Sequence, residues 1–284
     1  MTCTRPYVYY PSPNSRGQVS PCRRCMSCRI ALTNEWTTRL MHEAGEYPDN
    51  CFITLTYRDE DLPENRSLSK RTLQLFIKRL RKYLDGRKIK YYAVGEYGDK
   101  HDREHYHLIV FGWQPPLDDL FRAYRKGGKN YYGSKAIQDL WTFGFNTVGN
   151  VTRDSCQYVV GYVRKKLFGT MAKKIYGQRI PPFALQSHYI GARYAVRHSE
   201  RIHTELSVIE GRKNIGLPRY YQRVLGVDTV RLKEKAKTKM LADEYDFYKQ
   251  FPDGDYEAHK LKMRDAKELK LSVREKINTI RKGK

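Results

Sequence analysis

The chain has 284 residues, 40% of them hydrophobic, enough for a sizeable core in one large domain or two small ones. Its 54 Lys and Arg against 31 Asp and Glu leave a formal charge of +23, whose self-repulsion asks for an anionic partner, nucleic acid first. No run of about 18 apolar residues could span a bilayer, the first residues lack a signal-peptide pattern, and six cysteines are too few for a disulfide scaffold. A soluble intracellular protein without a membrane partner is expected. The 23 tyrosines, against 10 Phe and 3 Trp, suit base stacking combined with phosphate hydrogen bonding, although most of them belong to core and rim.

Four cysteines crowd the first 28 positions. Cys22, Cys25 and Cys28 form a C-x2-C-x2-C array, and Cys3 can supply a fourth thiolate. Four thiolates around Zn2+ make a closed structural site; an iron–sulfur cluster and free thiols are the other readings. Ser27 to Ala44 then reads as a helix with Ile30, Ala31, Trp36 and Leu40 inward and Gly45 as its stop.

Cys51 to Tyr57 alternates apolar and small polar residues, the period of a strand. Ser69 caps a helix with Leu73, Phe76, Ile77, Leu80 and Leu84 on one face and a basic opposite face. Tyr91 to Tyr97 forms a second strand, joined through Gly98 to Arg103 as a hairpin to a third that begins His105-Tyr106-His107 and continues Leu108-Ile109-Val110-Phe111. Alternate side chains share a face, so His105 and His107 stand roughly 7 Å apart on a doubly buried strand and can reach one divalent cation. Glu96 completes a three-ligand set with open coordination positions; its other reading is a surface carboxylate partnering Arg103 or Lys100. Glu104 competes for the role, but alternation turns it to the opposite face. Mixed N and O donors suit Mg2+ or Mn2+ on a phosphate, with zinc still open.

After Pro115-Pro116, the sequence reads as a short helical stretch around Leu117 to Tyr124, a loop from Lys126 to Asn130, a helix from Ser134 bearing Ile137, Leu140 and Trp141, and a strand within Phe145 to Val151. Strand, helix, two strands, helix, strand predicts an α+β fold with a ferredoxin-like, RRM-like antiparallel central sheet. Asp154 or Ser155 caps the next helix, which carries Tyr158 and Tyr162 four apart on one face and continues to Lys165 and Lys166. Such a pair can be plain packing. Beside a metal it can supply a nucleophile, because only about 0.1% of a free phenol is ionised at neutral pH and nearby cations lower the cost of ionisation. From Gly161 to Gly226, thirteen cations face three acids, interleaved with Phe183, Tyr189, Tyr194, Tyr220 and Tyr221, a plausible track for single-stranded DNA. From Val230 onward the chain is helical and charged, with Ala266, Leu269, Val273, Ile277 and Ile280 as a narrow apolar stripe suited to docking. The expected parts are a Cys-rich element over 1–48, a catalytic domain over 49–180 and a basic, aromatic and helical region over 181–284.

His105-Tyr106-His107 resembles the His-hydrophobic-His motif of HUH endonucleases, Phe52 to Tyr57 the strand before it, and Tyr158-x3-Tyr162 followed by Lys165 their two-tyrosine motif. Pro21-Cys22-x2-Cys25-x2-Cys28-Arg29, Thr54-Leu55-Thr56-Tyr57 and Gly95-Glu96-Tyr97-Gly98 narrow the likeness to replication initiators of the Microviridae, of the gokushovirus type, over roughly residues 1 to 195. The resemblance implies the HUH nuclease fold and rolling-circle replication. One tyrosine nicks the single-stranded origin, keeps the 5′ phosphate as an ester and frees a 3′ hydroxyl; the other acts at cutting and closure, and Mg2+ or Mn2+ is the cofactor. Gly161 stands where related initiators can carry a lysine, which leaves the positive role to Lys165 and Lys166. The resemblance also implies host helicase and polymerase as partners, in the cytoplasm of the bacterial host. The alternatives are an HUH-type transposase or relaxase, and a non-catalytic, zinc-stabilised nucleic-acid-binding protein.

Overall fold

The computed structural model describes residues 3, 5–10, 12, 13, 15, 17–98, 101–165 and 174–282, excluding the side chains of 162–165, 267, 271, 272 and 274–282. The chain divides into two compact units, one of Trp36–Arg197 and one of Met1–Glu35 with His198–Lys284.

The Trp36–Arg197 unit is built on strands β3 (Asn50–Tyr57), β4 (Lys90–Tyr97), β5 (Glu104–Phe111), β6 (Leu120–Lys126), β7 (Lys129–Ser134), β8 (Gly144–Gly149) and β9 (Phe183–Gln186). They form one seven-stranded sheet in the order β6-β7-β8-β3-β5-β4-β9, antiparallel at every pairing. Because β5 is antiparallel to both β3 and β4, those two run parallel with β5 between them. This is the split βαβ arrangement that the order of elements predicts. The fold is α+β, with a central antiparallel sheet flanked by helices.

Helix α2 (Lys70–Tyr83) makes the crossover from β3 to β4. Ser69 caps it, its Oγ accepting from the Thr72 N–H, and Leu73, Phe76, Ile77 and Leu80 bury against Ile53, Leu55, Leu108 and Val110. The short helix α3 (Lys135–Leu140) adds Ile137 to the same layer, with Trp141 at its end. On the other face, Leu40 from α1 (Met26–Ala44) and Cys156, Val159 and Val160 from α4 (Arg153–Lys165) cover Tyr92, Val94, Ile109 and Phe111. Covering both faces buries β5 almost throughout, which holds its backbone rigid.

Three local readings are corrected. Leu117 to Tyr124 is not helical: a single 3-10 turn at Leu117–Asp119 runs into β6, which pairs with β7 around a two-residue turn. Gly127 and Gly128 there have φ of 56° and 76°, the left-handed geometry such a turn requires. Helix α4 is capped neither by Asp154 nor by Ser155 alone. Thr152 precedes its first turn and exchanges hydrogen bonds with Ser155, whose N–H donates to Thr152 Oγ1 at 3.2 Å and whose Oγ accepts from the Thr152 N–H at 2.8 Å. Ala31, read as inward on α1, is exposed.

The second unit holds hairpin β1 (Tyr7–Tyr9) and β2 (Gln18–Ser20), the start of α1, helix α6 (Ser199–Glu205), hairpin β10 (Ser207–Glu210) and β11 (Lys213–Gly216), and helices α7 (Arg219–Leu225), α8 (Thr229–Gln250) and α9 (Tyr256–Lys282); α5 (Ala192–Arg197) closes the sheet-bearing unit. Phe247 packs on Tyr256 and His259, tying α8 to α9. Leu269 and Val273 of the expected stripe are exposed, and the side chains of Ile277 and Ile280 are outside the described set. Among the described residues no helix is long and apolar enough to cross a membrane.

Candidate active site

Register decides which side chains meet on the sheet. His105 pairs with Glu96 on one side and Thr56 on the other; His107 pairs with Val94 and Thr54. Directly opposed residues share a face, so Thr54, Glu96, His105 and His107 all project toward the layer of α1 and α4. The two imidazole rings lie nearly parallel, 7° apart in tilt, with centroids 6.4 Å apart. His107 Nε2 and Glu96 Oε1 are 3.0 Å apart, and these two residues are only 4% and 6% exposed. Thr54 Oγ1 lies 3.0 Å from His107 Nδ1. His105 Nδ1–H donates to the Arg103 carbonyl at 2.7 Å, which leaves a lone pair on Nε2. Burial pushes the His105 pKa below its ordinary value, against the opposing pull of that carbonyl, which favours the neutral ring that a metal ligand requires.

These donors fit a divalent cation. Two imidazoles and a carboxylate converge from adjacent strands, and the His107–Glu96 hydrogen bond joins two groups that would both hold the cation. Glu104 does not join them. It is fully buried on the opposite face, where neither carboxylate oxygen has a hydrogen-bond partner among the described residues.

Helix α4 brings the phenol. Val159 and Val160 bury on the sheet and leave Tyr158 42% exposed, its ring edge-on to His107 with centroids 5.1 Å apart. Phe52 stacks on His107 at 5.9 Å and meets Tyr158 edge-on at 6.3 Å. Sequence reasoning did not single out Phe52 or Thr54 as site residues, although the alternation of β3 places them on one face. Tyr162 lies on α4 one turn beyond Tyr158; its side chain, that of Lys165, and the whole of Lys166 lie outside the described residues.

The four N-terminal cysteines do come together, in the other unit. Their Sγ atoms all lie within 4.8 Å of one another, close enough to hold a metal ion. Backbone N–H groups of Cys22 and Cys25 donate to Cys3 Sγ at 3.2 Å and Cys22 Sγ at 3.3 Å. At Cys22 burial raises the pKa, but the donors from Cys25 and Arg24 outweigh it and the net shift is downward. Burial and the neighbouring thiols of Cys3 and Cys25 push Cys28 up to about 12. Four thiolates cannot ionise together at this spacing without a cation between them, so the donor set fits a dication. Arg23, between the first two cysteines of the array, takes a left-handed φ of 58° to fold the segment back.

The expected DNA track is partly spent on internal contacts. Arg197 and Arg193 pair with buried Glu46 at 2.8 and 4.0 Å, Arg179 pairs with Asp102, and Arg201 pairs with Glu205. Phe183 and Tyr221 are buried and Tyr194 stacks on His42, so of those rings Tyr189 is the plainly exposed one.

Residues 50–167, which span β3 through α4, match the family model described as replication-associated protein ORF2. Three phage proteins match a longer stretch. Replication-associated protein ORF2 of Spiroplasma virus 4 is 38% identical over 216 residues, 72% of this chain and 66% of the relative. Replication-associated protein VP4 of Bdellovibrio phage phiMH2K is 36% identical over 211 residues, 71% and 66%. The chain belongs to the replication-associated protein family of the Microviridae. A further member, replication-associated protein ORF4 of Chlamydia phage 1, is 34% identical over 216 residues, 72% of the chain and 53% of that protein. The chain thus spans just under two thirds of the first two family members and about half of the third. No solved structure matches it at a significant level.

Proposed function

We propose that this family member is a rolling-circle replication initiator that nicks single-stranded origin DNA through a 5′-phosphotyrosine and rejoins the strand, with 49–180 as its HUH endonuclease domain. One observation carries the reading: a half-exposed phenol, Tyr158, stands edge-on to a buried His107–Glu96 pair on the sheet face that also holds His105.

Tyr158, or Tyr162 one turn on, attacks the scissile phosphorus in line. The new P–O bond to the phenol forms as the bond to the 3′ oxygen breaks, the phenolic proton goes to solvent, and the 3′ oxygen takes up a proton to leave as a hydroxyl. His105, His107 and Glu96 would hold Mg2+ or Mn2+, which supplies neutralisation of the phosphate oxygens and stabilises the departing 3′ oxygen. Lys165 and Lys166 favour the phenolate. Because the ester keeps the energy of the broken bond, attack by a 3′ hydroxyl reverses the reaction and closes the strand without ATP. Cys3, Cys22, Cys25 and Cys28 would take Zn2+ in a closed structural site. The protein would act in the cytoplasm of the bacterial host, where a host helicase and polymerase extend the freed 3′ end.

The test is incubation with origin-bearing single-stranded DNA and Mn2+, read as a covalent adduct on a denaturing gel. Wild-type protein is expected to form it. Tyr158→Phe with Tyr162→Phe should abolish it, and His105→Ala with His107→Ala should lower its rate by at least about a hundredfold, an electrostatic loss of a few kcal/mol. DNA binding without any adduct would leave a non-catalytic nucleic-acid-binding protein; an adduct undiminished in the histidine variant would remove the metal role.

A further inference from the structure

The hairpin of β6 and β7 is an arm added to one end of the four inner strands, and the reaction proposed above makes no use of it. Leu120 to Ser134 carries Arg122, Arg125, Lys126 and Lys129 and no acid. All four cations are exposed, and none has an ion-pair partner among the described residues. Across the strands Tyr124 and Tyr131 stand opposite one another with rings stacked at 4.6 Å and 12°, both exposed. At the foot of the arm a cleft of about 820 Å3 is lined by Tyr131, Tyr132, Asn130, Gln114 and the ion pair of Arg87 with Asp49. It lies by the Asn50 end of β3, whereas the histidines pair with the Thr54–Thr56 end, four to six residues or roughly 13–20 Å along the strand.

Cations on an edge strand can serve only to prevent edge-to-edge pairing. Edge protection accounts for the charge but not for the stacked, exposed tyrosines or for a cleft beside them large enough for a nucleotide. Phosphates need unpaired cations and bases need free aromatic faces, and this arm offers both at once. We propose that the β6–β7 arm and the cleft at its foot form a second DNA-contacting surface, which holds single-stranded DNA away from the nicking site. Single strand is the specific partner, because only unpaired bases expose their faces to Tyr124, Tyr131 and Tyr132. The inference rests on the replication reading for its choice of DNA and not on the nicking chemistry.

The test is fluorescence anisotropy with a 30-nucleotide single strand, without divalent cations, over a salt series. Replacing the four cations (Arg122→Gln, Arg125→Gln, Lys126→Gln, Lys129→Gln) is expected to reduce the slope of log affinity against log salt by about 3, at about 0.7 per phosphate contact on a single strand, and to weaken binding by tenfold or more. Tyr124→Ala with Tyr131→Ala should weaken single-strand binding by about tenfold with the slope unchanged, and should spare a duplex of equal length. If the quadruple variant melts early, the single changes Arg122→Gln and Lys129→Gln should each still remove about 0.7 from the slope. Wild-type slope and affinity in all these variants would overturn the proposal and leave edge protection as the role of the cations. Duplex binding that falls as far as single-strand binding in the tyrosine variant would overturn the single-strand assignment. Adduct formation on origin-bearing single-stranded DNA with Mn2+ separates the two readings: an adduct with an unchanged slope sinks the arm alone, and a reduced slope with no adduct sinks the nickase alone.

Discussion

Thr54 fixes the orientation of His107. Its hydroxyl can donate to or accept from Nδ1, so it could also pair with the tautomer that carries its proton on Nδ1 and leaves the Nε2 lone pair free for a metal. Thr54→Val keeps the shape and removes the hydrogen bond. It is expected to lower Mn2+ affinity by about tenfold in isothermal titration, with Thr54→Ser close to wild type. Gly98 acts through space instead: a Cβ there would stand 3.0 Å from His105 Cε1, so Gly98→Ala must push that ring aside. The same titration should show a several-fold loss with no change in melting temperature; an unchanged affinity would mean the ring has room to spare. The shared face of His105 and His107 was legible in the sequence because alternation along a strand needs no knowledge of its neighbours, and the place of Glu96 because a short polar loop marks the hairpin that joins its strand to theirs. Thr54 and Phe52 were not, because their place beside His107 depends on the β3–β5 register, which no local pattern in either strand states.

Helix α2 shows how much of an element one cap carries. Ser69 Oγ accepts from the Thr72 N–H, while the Ser69 N–H donates to the Tyr106 hydroxyl at 2.9 Å and the Ser69 carbonyl accepts from it at 3.2 Å. Ser69→Ala leaves the backbone links to the sheet and deletes only the cap, so urea denaturation should report a loss of about 1 kcal/mol. A loss near zero would mean water replaces the hydroxyl. This helix and the strands β3, β4 and β5 follow from periodicity, since each buries one regular face or both. The β6–β7 hairpin did not, and the reason is physical. Its residues are mostly exposed, so no apolar alternation marks it, and the signal that remained was Gly127-Gly128, a two-residue turn that also reads as a loop. Tyr158 was legible as one of a spaced pair, but only the burial of Val159 and Val160 decides that it faces outward.

Across the molecule as a whole, the abundance of tyrosine sets an alkaline limit on stability. Burial raises the pKa of Tyr57, Tyr92 and Tyr106, and at Tyr106 the neighbouring Tyr57 phenol adds to the rise. In the unfolded chain these phenols titrate near 10. A folded-state pKa above the unfolded one means the folded state binds protons more tightly, so this contribution to stability is complete below about pH 10 and is lost as pH climbs through the folded values. Deprotonation of lysines in the same range relieves the repulsion of a chain at +23, which opposes the loss, but salt already screens exposed charges separated by more than about 8 Å at physiological ionic strength. Melting temperature is therefore expected to stay level from pH 8 to about 9.5 and to fall above about 10, while absorbance at 295 nm titrates in two classes. The first class should ionise reversibly, and the three buried phenols only together with unfolding. Tyr92→Phe removes one of the three and breaks no side-chain hydrogen bond among the described residues, so it should soften the alkaline fall and leave the neutral melting temperature nearly unchanged. A single smooth titration with no loss of structure would show that water reaches these rings, and that the sheet is less tightly closed on its two faces than its packing requires.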